Sequence, residues 1–265
     1  MFNLLQRARQ KYNRMLRSKN EQKINKFARE YIKLNNLDKL LESADNASTS
    51  TGAELPDYVA LHSYILQYKP TYILECGTGK STWILAHALQ KNHLESGVLG
   101  KVISMESVDI WYNEAKKIFP SELQQYVEFH YSPATTYQYS IIRGTCFTKV
   151  PDYQYDLFFV DGPELTVTHD GYSYDTANMD FIRYLITAIK PATAIIDTRM
   201  RTCAAYGLIF GQKKVKYLRG WMLGIIENVT KKDLKLNNSG LDMWKILGQS
   251  TDLTLEHPSW LRNKV

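Results

Sequence analysis

The sequence predicts an α/β fold in which a mostly parallel sheet is covered by helices on both faces. Three observations support this fold class: short apolar runs recur along the chain, helical segments separate them, and the runs lack the polar alternation of a half-exposed strand. Strands buried on both faces are almost continuously apolar, and the crossover helices of a parallel sheet provide the cover. The pattern therefore indicates a doubly wound parallel sheet.

The individual elements follow from the same pattern. Five strands are expected at residues 72–75, 102–106, 127–131, 155–161 and 192–197, and helices at 56–68, 81–90, 110–119 and 176–189. The segment after residue 133 is also expected to be helical. Beyond residue 213 the chain becomes β-like, with candidate strands at 215–218, 222–229 and 241–247. An antiparallel C-terminal edge closing the sheet is the simplest interpretation, and the whole sheet is expected to have seven strands.

The N-terminal region differs from the rest in charge. Up to residue 33, ten Lys and Arg stand against two Glu, a net charge of +8; the whole chain carries +6, which leaves −2 for the remainder. Residues 2–40 lack Pro and Gly and repeat apolar side chains at helical spacing, so one or two amphipathic helices are expected. Residues 43–52 are small and polar, typical of a linker. We therefore divide the chain into a basic helical arm with its linker at 1–52 and a main domain at 53–265.

Composition excludes several classes of protein. No apolar run is long enough for a transmembrane helix, and the N-terminus does not resemble a signal peptide. Cys76, Cys146 and Cys203 are widely spaced without a Cys-x-x-Cys pair, which predicts buried reduced thiols in a cytoplasmic protein rather than a zinc site. Three interpretations of the basic arm remain open: solvated or oligomer-forming helices, nucleic-acid binding, and peripheral attachment to an anionic membrane surface.

Acidic residues follow four of the five predicted strands. These residues are Glu75, Glu106, Asp161 and Asp197. In a doubly wound sheet, ligands bind at the carboxyl ends of the strands, where the loops and the helix N-termini converge. Four acids at that edge indicate a site that receives a ligand with cationic or hydroxyl groups.

The turn after the first strand reads Glu75-Cys76-Gly77-Thr78-Gly79. Glycines allow a tight turn to approach a cofactor closely, although Gly-x-Gly alone is a weak signal. A carboxylate before the first Gly fits a phosphate poorly, because phosphate sites need positive potential and free amides. It fits a cationic sulfonium with an amino-acid head better, and Glu106 is placed to accept both hydroxyls of a ribose.

A phosphate-binding P-loop is the rival interpretation of Gly79-Lys80-Ser81. That motif requires a Gly five residues before the second Gly, and Leu74 occupies this position inside the predicted strand. The loop is therefore too short to surround a phosphate.

Three motifs occur in order along the chain: residues 73–82, Glu106 at the end of the second strand, and Phe159-Val160-Asp161-Gly162 at the end of the fourth. Together they resemble the motifs of the class I S-adenosylmethionine-dependent methyltransferases. The resemblance is closest to the small-molecule and sugar O-methyltransferases with a Val-Asp-Gly fourth strand, and it covers roughly residues 69–197. It implies a Rossmann-like sheet and S-adenosylmethionine as cofactor. The first fifty residues match no family that we can name.

The resemblance also implies roles for single residues. Glu75, Gly77 and Gly79 would hold the methionine part of the cofactor, Glu106 its ribose, and the turn at 132–134 would lie near its adenine. The full set expected to bind the cofactor is Glu75, Gly77, Thr78, Gly79, Ser81, Glu106, Ser107, Ser132 and Asp161.

Asp161, His169 and Asp197 are the candidates for a catalytic base or a metal ligand. Catechol-type relatives hold magnesium with an Asp-Asn pair after the fifth strand; here the pair is Asp197-Thr198, so a divalent metal is not favoured. Arg199 is either a ligand for an anionic acceptor or an exposed helix-start residue.

The expected function is thus methyl transfer to the oxygen of a small-molecule or sugar acceptor. Two alternative functions remain: an RNA methyltransferase that uses the basic arm, and a non-catalytic binding module. Assembly into a homo-oligomer also remains open.

Overall fold

Helices and strands alternate along most of the chain. The computed structural model describes residues 2–48, 53–163, 166–169, 172–235 and 256–262. Its helices are α1 Phe2–Leu34, α2 Asp38–Ala47, α3 Leu55–Tyr68, α4 Lys80–Ser96, α5 Asp109–Ile118, α6 Asp180–Thr187 and α7 Met200–Phe210. The strands are β1 Tyr72–Cys76, β2 Lys101–Glu106, β3 Val127–Tyr131, β4 Ala134–Tyr139, β5 Ile142–Phe147, β6 Leu157–Val160, β7 Thr166–His169, β8 Tyr172–Asp175, β9 Ala192–Asp197, β10 Lys216–Leu218 and β11 Leu223–Val229. Short 3₁₀ helices lie at Ser121–Tyr126, Lys231–Asp233 and Ser259–Leu261.

Seven strands form the central sheet in the order β10-β11-β9-β6-β1-β2-β3. The five strands from β9 to β3 run parallel to one another, and β11 runs antiparallel to both of its neighbours. This confirms the prediction of a Rossmann-like, mostly parallel seven-stranded sheet with an antiparallel C-terminal part. The strand order reverses between β1 and β6, and doubly wound sheets bind ligands at the carboxyl ends of the strands flanking such a switch point.

Both faces of the sheet are buried, as predicted. Neighbouring residues of a strand point to opposite faces, and in β1 Ile73 joins an apolar cluster with α1, α3 and α4, whereas Leu74 joins a second cluster with α6 and α7. In β6, Phe159 belongs to the first of these clusters and Phe158 to the second. Glu75 therefore points to the same face as Ile73, toward the start of α4. All three cysteines are buried free thiols, as expected.

The segment after residue 133 differs from the prediction. It forms the antiparallel hairpin β4–β5 instead of a helix. Strand β4 contains Thr135, Thr136, Tyr137 and Tyr139. Such β-branched and aromatic residues favour a pleated strand over a helix. The helix predicted at 176–189 is also shorter, because the hairpin β7–β8 and a bridge from Asn178 to Thr145 precede α6.

The N-terminal region packs against the main domain. Ile24, Ala28 and Tyr31 of α1 are buried in the cluster that also contains α3. The opposite face of α1 exposes basic side chains, namely Lys19, Lys23, Lys26, Arg29 and Lys33.

The predicted linker at 43–52 is wrong in its first half, because α2 extends to Ala47 with Leu41 and Ala44 buried. Residues 49–52 and the predicted strand at 241–247 lie outside the described residues. Across the described part of the chain, no helix combines the length and the apolar character that crossing a membrane requires.

Candidate active site

The glycine turn joins β1 to α4 and packs against the end of β6. Gly77 adopts a left-handed conformation with φ of 98°, and its N–H donates to the carbonyl oxygen of Met105 at 2.9 Å. A Cβ at Gly77 would lie 3.2 Å from the carbonyl carbon and oxygen of Asp161. A Cβ at Gly162 would lie 2.7 Å from the Gly77 nitrogen. Gly77 and Gly162 thus allow the ends of β1 and β6 to touch, because a side chain at either position would push the two backbones apart.

Glu75 lies beneath this turn and is fully buried. One carboxylate oxygen accepts from Ser81 Oγ at 2.6 Å, and the other accepts from Thr82 Oγ1 and Ser104 Oγ, each at 2.6 Å. Burial raises the pKa of Glu75 to about 7, although the three hydroxyl donors oppose the shift. The structure therefore places Glu75 as a support that ties the turn to α4 and β2, and not at a surface where a ligand could reach it.

Glu106 ends β2 on the other side of the turn. Its Oε1 accepts from the backbone N–H groups of Ser107 at 2.7 Å and Val108 at 2.9 Å, and its Oε2 accepts from the N–H of Thr78 at 3.3 Å. The carboxylate is thus held in one orientation by backbone donors alone. Ser107 contributes through its backbone.

A cavity of about 270 Å³, the aromatic cavity, opens beside Glu106. Thr78 and Gly79 form part of its wall, and its aromatic lining residues are Trp83, Trp111, Phe119 and Phe129. Sequence reasoning missed these aromatic residues. The signal was present in α5, where Trp111, Ala115 and Ile118 recur at helical spacing on the face toward the cavity.

Ser132 is not among the residues that line the aromatic cavity. It is buried after β3, and its Oγ accepts from the backbone N–H of Lys149 at 2.9 Å. This hydroxyl fixes the start of β4 relative to the loop after β5, so the expected proximity of Ser132 to an adenine stays a prediction.

A second cavity, the acidic cavity, has a volume of about 330 Å³. Thr78 and Gly79 line both cavities. The acids that line the second one are Glu54, Asp57, Asp161 and Asp197. The turn therefore borders both an aromatic cavity and a strongly acidic one, and a ligand lying along it would contact both.

Asp57 and Asp197 are the most deeply buried of these acids, at 2% and 6% exposure. Asp57 Oδ2 accepts from the N–H of Glu54 at 2.7 Å. Asp57 Oδ1 and Asp197 Oδ1 are buried and have no hydrogen-bond partner within the described part of the chain. Burial raises the pKa of both carboxyls, and neighbouring negative charges, Asp197 on Asp57 and Asp161 on Asp197, raise them further.

Glu54 and Asp57 were not anticipated as site residues. They form a capping box at the start of α3, with Pro56 inside the first turn. Glu-x-x-Asp ahead of an apolar helix is a recognisable N-terminal signature, but it does not reveal that this helix begins at the carboxyl edge of the sheet.

Arg199 is engaged by Asp161. Its Nη2 donates to the Asp161 carbonyl oxygen and lies 3.4 Å from Asp161 Oδ1, and its Nη1 donates to the Pro163 carbonyl oxygen at 3.2 Å. Burial raises the pKa of Asp161, and the guanidinium opposes that shift. Arg199 is therefore a partly buried partner of Asp161, contrary to the idea of an exposed helix-start arginine.

Lys80 forms an ion pair with Asp45 of α2 at 2.6 Å. In a P-loop this lysine would reach a phosphate. Here its charge is matched by the N-terminal region, and the cavity beside it is lined by acids.

The three predicted catalytic residues are only partly brought together. Asp161 and Asp197 line the same cavity. His169 is the last residue of β7, but its side chain lies outside the described residues, so its role stays a prediction. Among the side chains that the structure describes, no three His, Cys, Asp or Glu are grouped so that they could hold a metal ion.

Comparison with known proteins gives similar structures but no family match. The O-methyltransferase TomG from Streptomyces achromogenes, crystallised with SAM, is 18% identical over 64% of this chain and 67% of that chain, with a TM-score of 0.38. An O-methyltransferase from Bacillus cereus in complex with SAH is 16% identical over 76% of this chain and 91% of that one, with a TM-score of 0.43. SAH-bound methyltransferase PaMTH1 from Podospora anserina is 14% identical over 81% and 74%, with a TM-score of 0.40. No family model and no curated protein matches the chain.

Proposed function

We propose that this protein binds S-adenosylmethionine across its glycine turn and transfers the methyl group to a hydroxyl of a small-molecule or sugar acceptor. The observation that carries the proposal is a pair of cavities that share Thr78 and Gly79 as lining residues, one aromatic with Glu106 at its wall and one lined by four carboxylates. Few metabolites offer an aromatic base, vicinal hydroxyls and a cationic end in that order along one molecule.

The aromatic cavity fits the adenosine part. Glu106 is fixed by backbone N–H donors at the end of the second strand, where an acid accepts ribose hydroxyls in dinucleotide-binding folds of the same topology. Trp111, Phe119 and Phe129 would provide apolar cover for the base. Gly79 would let the ligand pass close to the backbone between the two cavities.

The acidic cavity fits the methionine end. Lys80, which lines this cavity, is paired with Asp45, and Arg199 is paired with Asp161, so the remaining carboxylates leave the cavity with an excess of negative charge. Negative potential attracts an ammonium and a sulfonium and repels a pyrophosphate or triphosphate. Two buried carboxylate oxygens without a partner among the described residues are consistent with a ligand that brings donors or positive charge.

When bound, the sulfonium supplies a methyl carbon that is already activated for displacement. The protein's own part is then to align the acceptor and to receive its proton. Asp161 and Asp197 lie at the ends of adjacent parallel strands and line the cavity where this would occur. An acidic lining favours a neutral or cationic acceptor over one that carries a phosphate or sulfate.

Isothermal titration calorimetry with S-adenosylmethionine and S-adenosylhomocysteine tests the proposal. We expect micromolar binding of both ligands, weakened at least about tenfold in Glu106→Ala, because the ribose hydroxyls lose a charged acceptor. Glu122→Ala is the matched control, since Glu122 is exposed on a 3₁₀ helix and is not among the residues that line either cavity. If the folded wild-type protein binds neither ligand, the proposal is wrong.

A further inference from the structure

We propose that Asp57 and Asp197 share one proton and together form the general base that receives the acceptor's proton in the acidic cavity. This inference rests on the proposed function for the identity of the reaction. The carboxyl pair itself follows from the position, burial and surroundings of the two side chains. Asp57 has no counterpart in the motifs that suggested the function, because it comes from α3, before the first strand of the sheet.

The two carboxyls reach one cavity from different elements. Asp57 lies in the first turn of α3 and Asp197 is the last residue of β9, and both line the acidic cavity. The N–H of Glu54 holds Asp57 Oδ2 at 2.7 Å, which fixes the orientation of the group. The other oxygen, Asp57 Oδ1, remains for a different partner.

Both Oδ1 atoms are buried without a hydrogen-bond partner among the described residues. Two ionised carboxylates in this position would be acceptors only, and both Oδ1 atoms would lack a donor. A single proton on one of them supplies a donor and removes one of two repelling charges. Carboxyl pairs that share a site hold a proton for this reason, and they titrate as a pair rather than as two independent groups.

The surroundings favour retention of that proton near neutral pH. Glu54 and Asp161 add negative charge, and Lys80 is paired with Asp45. Arg199 and a hydrogen bond from Thr198 lower the pKa of Asp197, but burial is the largest effect on that carboxyl and raises its pKa. Tyr58 and Tyr217 also lie within the electrostatic field of both carboxyls, and burial keeps their own hydroxyls neutral by raising the pKa of each. Burial raises the pKa of Asp57 and Asp197 as well, and a base that titrates near the working pH is the most effective kind.

The transfer step balances with this pair as the base. The acceptor O–H bond breaks and its proton goes to the unprotonated carboxylate of the pair. The acceptor oxygen uses the released electron pair to bond to the methyl carbon. The carbon–sulfur bond breaks, and its electrons remain on sulfur as a neutral thioether.

The first test is a carbon-detected NMR titration of the full chain with ¹³Cγ-labelled aspartate. We expect two coupled carboxyl signals that titrate well above the ordinary Asp range. In Asp57→Asn the signal of Asp197 should shift to a lower pKa by at least about one unit, because a repelling charge is gone; Asp197→Asn should have the reciprocal effect on Asp57. Asp152→Asn, at an exposed position, should change neither. If each variant leaves the other carboxyl's titration unchanged, the two groups do not share a proton.

The second test places the pair at the methyl end of the ligand. Calorimetry in two buffers of different ionisation enthalpy measures proton release on binding S-adenosylmethionine, which carries the sulfonium, and S-adenosylhomocysteine, which does not. A cation beside the pair lowers its proton affinity. At pH 7 we therefore expect binding of S-adenosylmethionine to release at least roughly 0.2 proton more than binding of S-adenosylhomocysteine. The difference should vanish in Asp57→Asn and in Asp197→Asn. Equal release for the two ligands would overturn the inference while leaving the cofactor assignment intact. If neither ligand binds, the proposed function and the base assignment both fall, and the NMR titration still reports on the pair.

Discussion

Glu75→Gln should flatten the pH dependence of stability, because Glu75 is the fully buried acid beneath the glycine turn. Its pKa is raised from 4.5 to about 7. Between these values the folded state binds a proton that the unfolded state has lost, so stability falls as pH rises through this window and is fully present below pH 4.5. Two and a half units at 1.36 kcal/mol each give about 3 kcal/mol, and no discount for solvent is needed because the carboxyl is inaccessible.

Urea unfolding followed by tryptophan fluorescence at a series of pH values between 4.5 and 8.5 measures this effect. The free energy of unfolding of the wild type should fall by about 3 kcal/mol more than that of Glu75→Gln across the series. Other buried acids contribute equally to both proteins and cancel in the difference. Glu95→Gln, an exposed residue paired with Lys69, should behave as the wild type. Parallel curves for Glu75→Gln and the wild type would show that Glu75 titrates normally and that the three hydroxyls compensate fully for its burial.

Two further predictions concern the turn and the aromatic cavity. Gly162→Ala should destabilise the protein by about 2 kcal/mol and weaken S-adenosylhomocysteine binding, because the new Cβ would meet the Gly77 nitrogen at 2.7 Å. Gly97→Ala is the control, since Gly97 has a left-handed φ but open space around it. This variant should lose stability in denaturant titrations and keep its affinity for the ligand in calorimetry. Trp111→Ala should weaken the same ligand about fivefold, in line with roughly 1 kcal/mol for an aromatic contact. Ile110→Ala, its more exposed neighbour, should not weaken it, and equal losses in the two variants would exclude Trp111 from the binding surface.

The sequence was sufficient to predict the sheet because the decisive signals are local. β1, β6 and β9 are apolar on both faces and end in or beside acids, so their direction and shared edge follow from the pattern alone. The hairpin β4–β5 was missed although Thr135, Thr136, Tyr137 and Tyr139 are residues that favour a strand. The extent of α6 was missed because the bridge between Asn178 and Thr145 joins residues 33 positions apart, which no window of local sequence contains.

The candidate site was predictable only where it follows the strand ends. Glu106, Asp161 and Asp197 lie at the cavities as the strand positions indicated. Glu75 occupies the predicted position in the chain, but side-chain alternation turns it toward Ser81, Thr82 and Ser104, and that depends on which face α4 covers. Asp57 could not be predicted as part of the site, because the placement of α3 over the sheet edge is a tertiary contact.

The position of β11 has a consequence for synthesis of the chain. This strand is the last of the seven in sequence, yet it lies between β9 and β10. While the polypeptide is emerging from the ribosome, β9 has an open hydrogen-bonding edge until residue 229 is available, and β10 has no neighbour at all. Unpaired edges of apolar strands are sites of aggregation. A nascent chain stalled or truncated between residues 199 and 223 should therefore depend on chaperones to remain dispersed, although it already contains every residue that lines the two cavities.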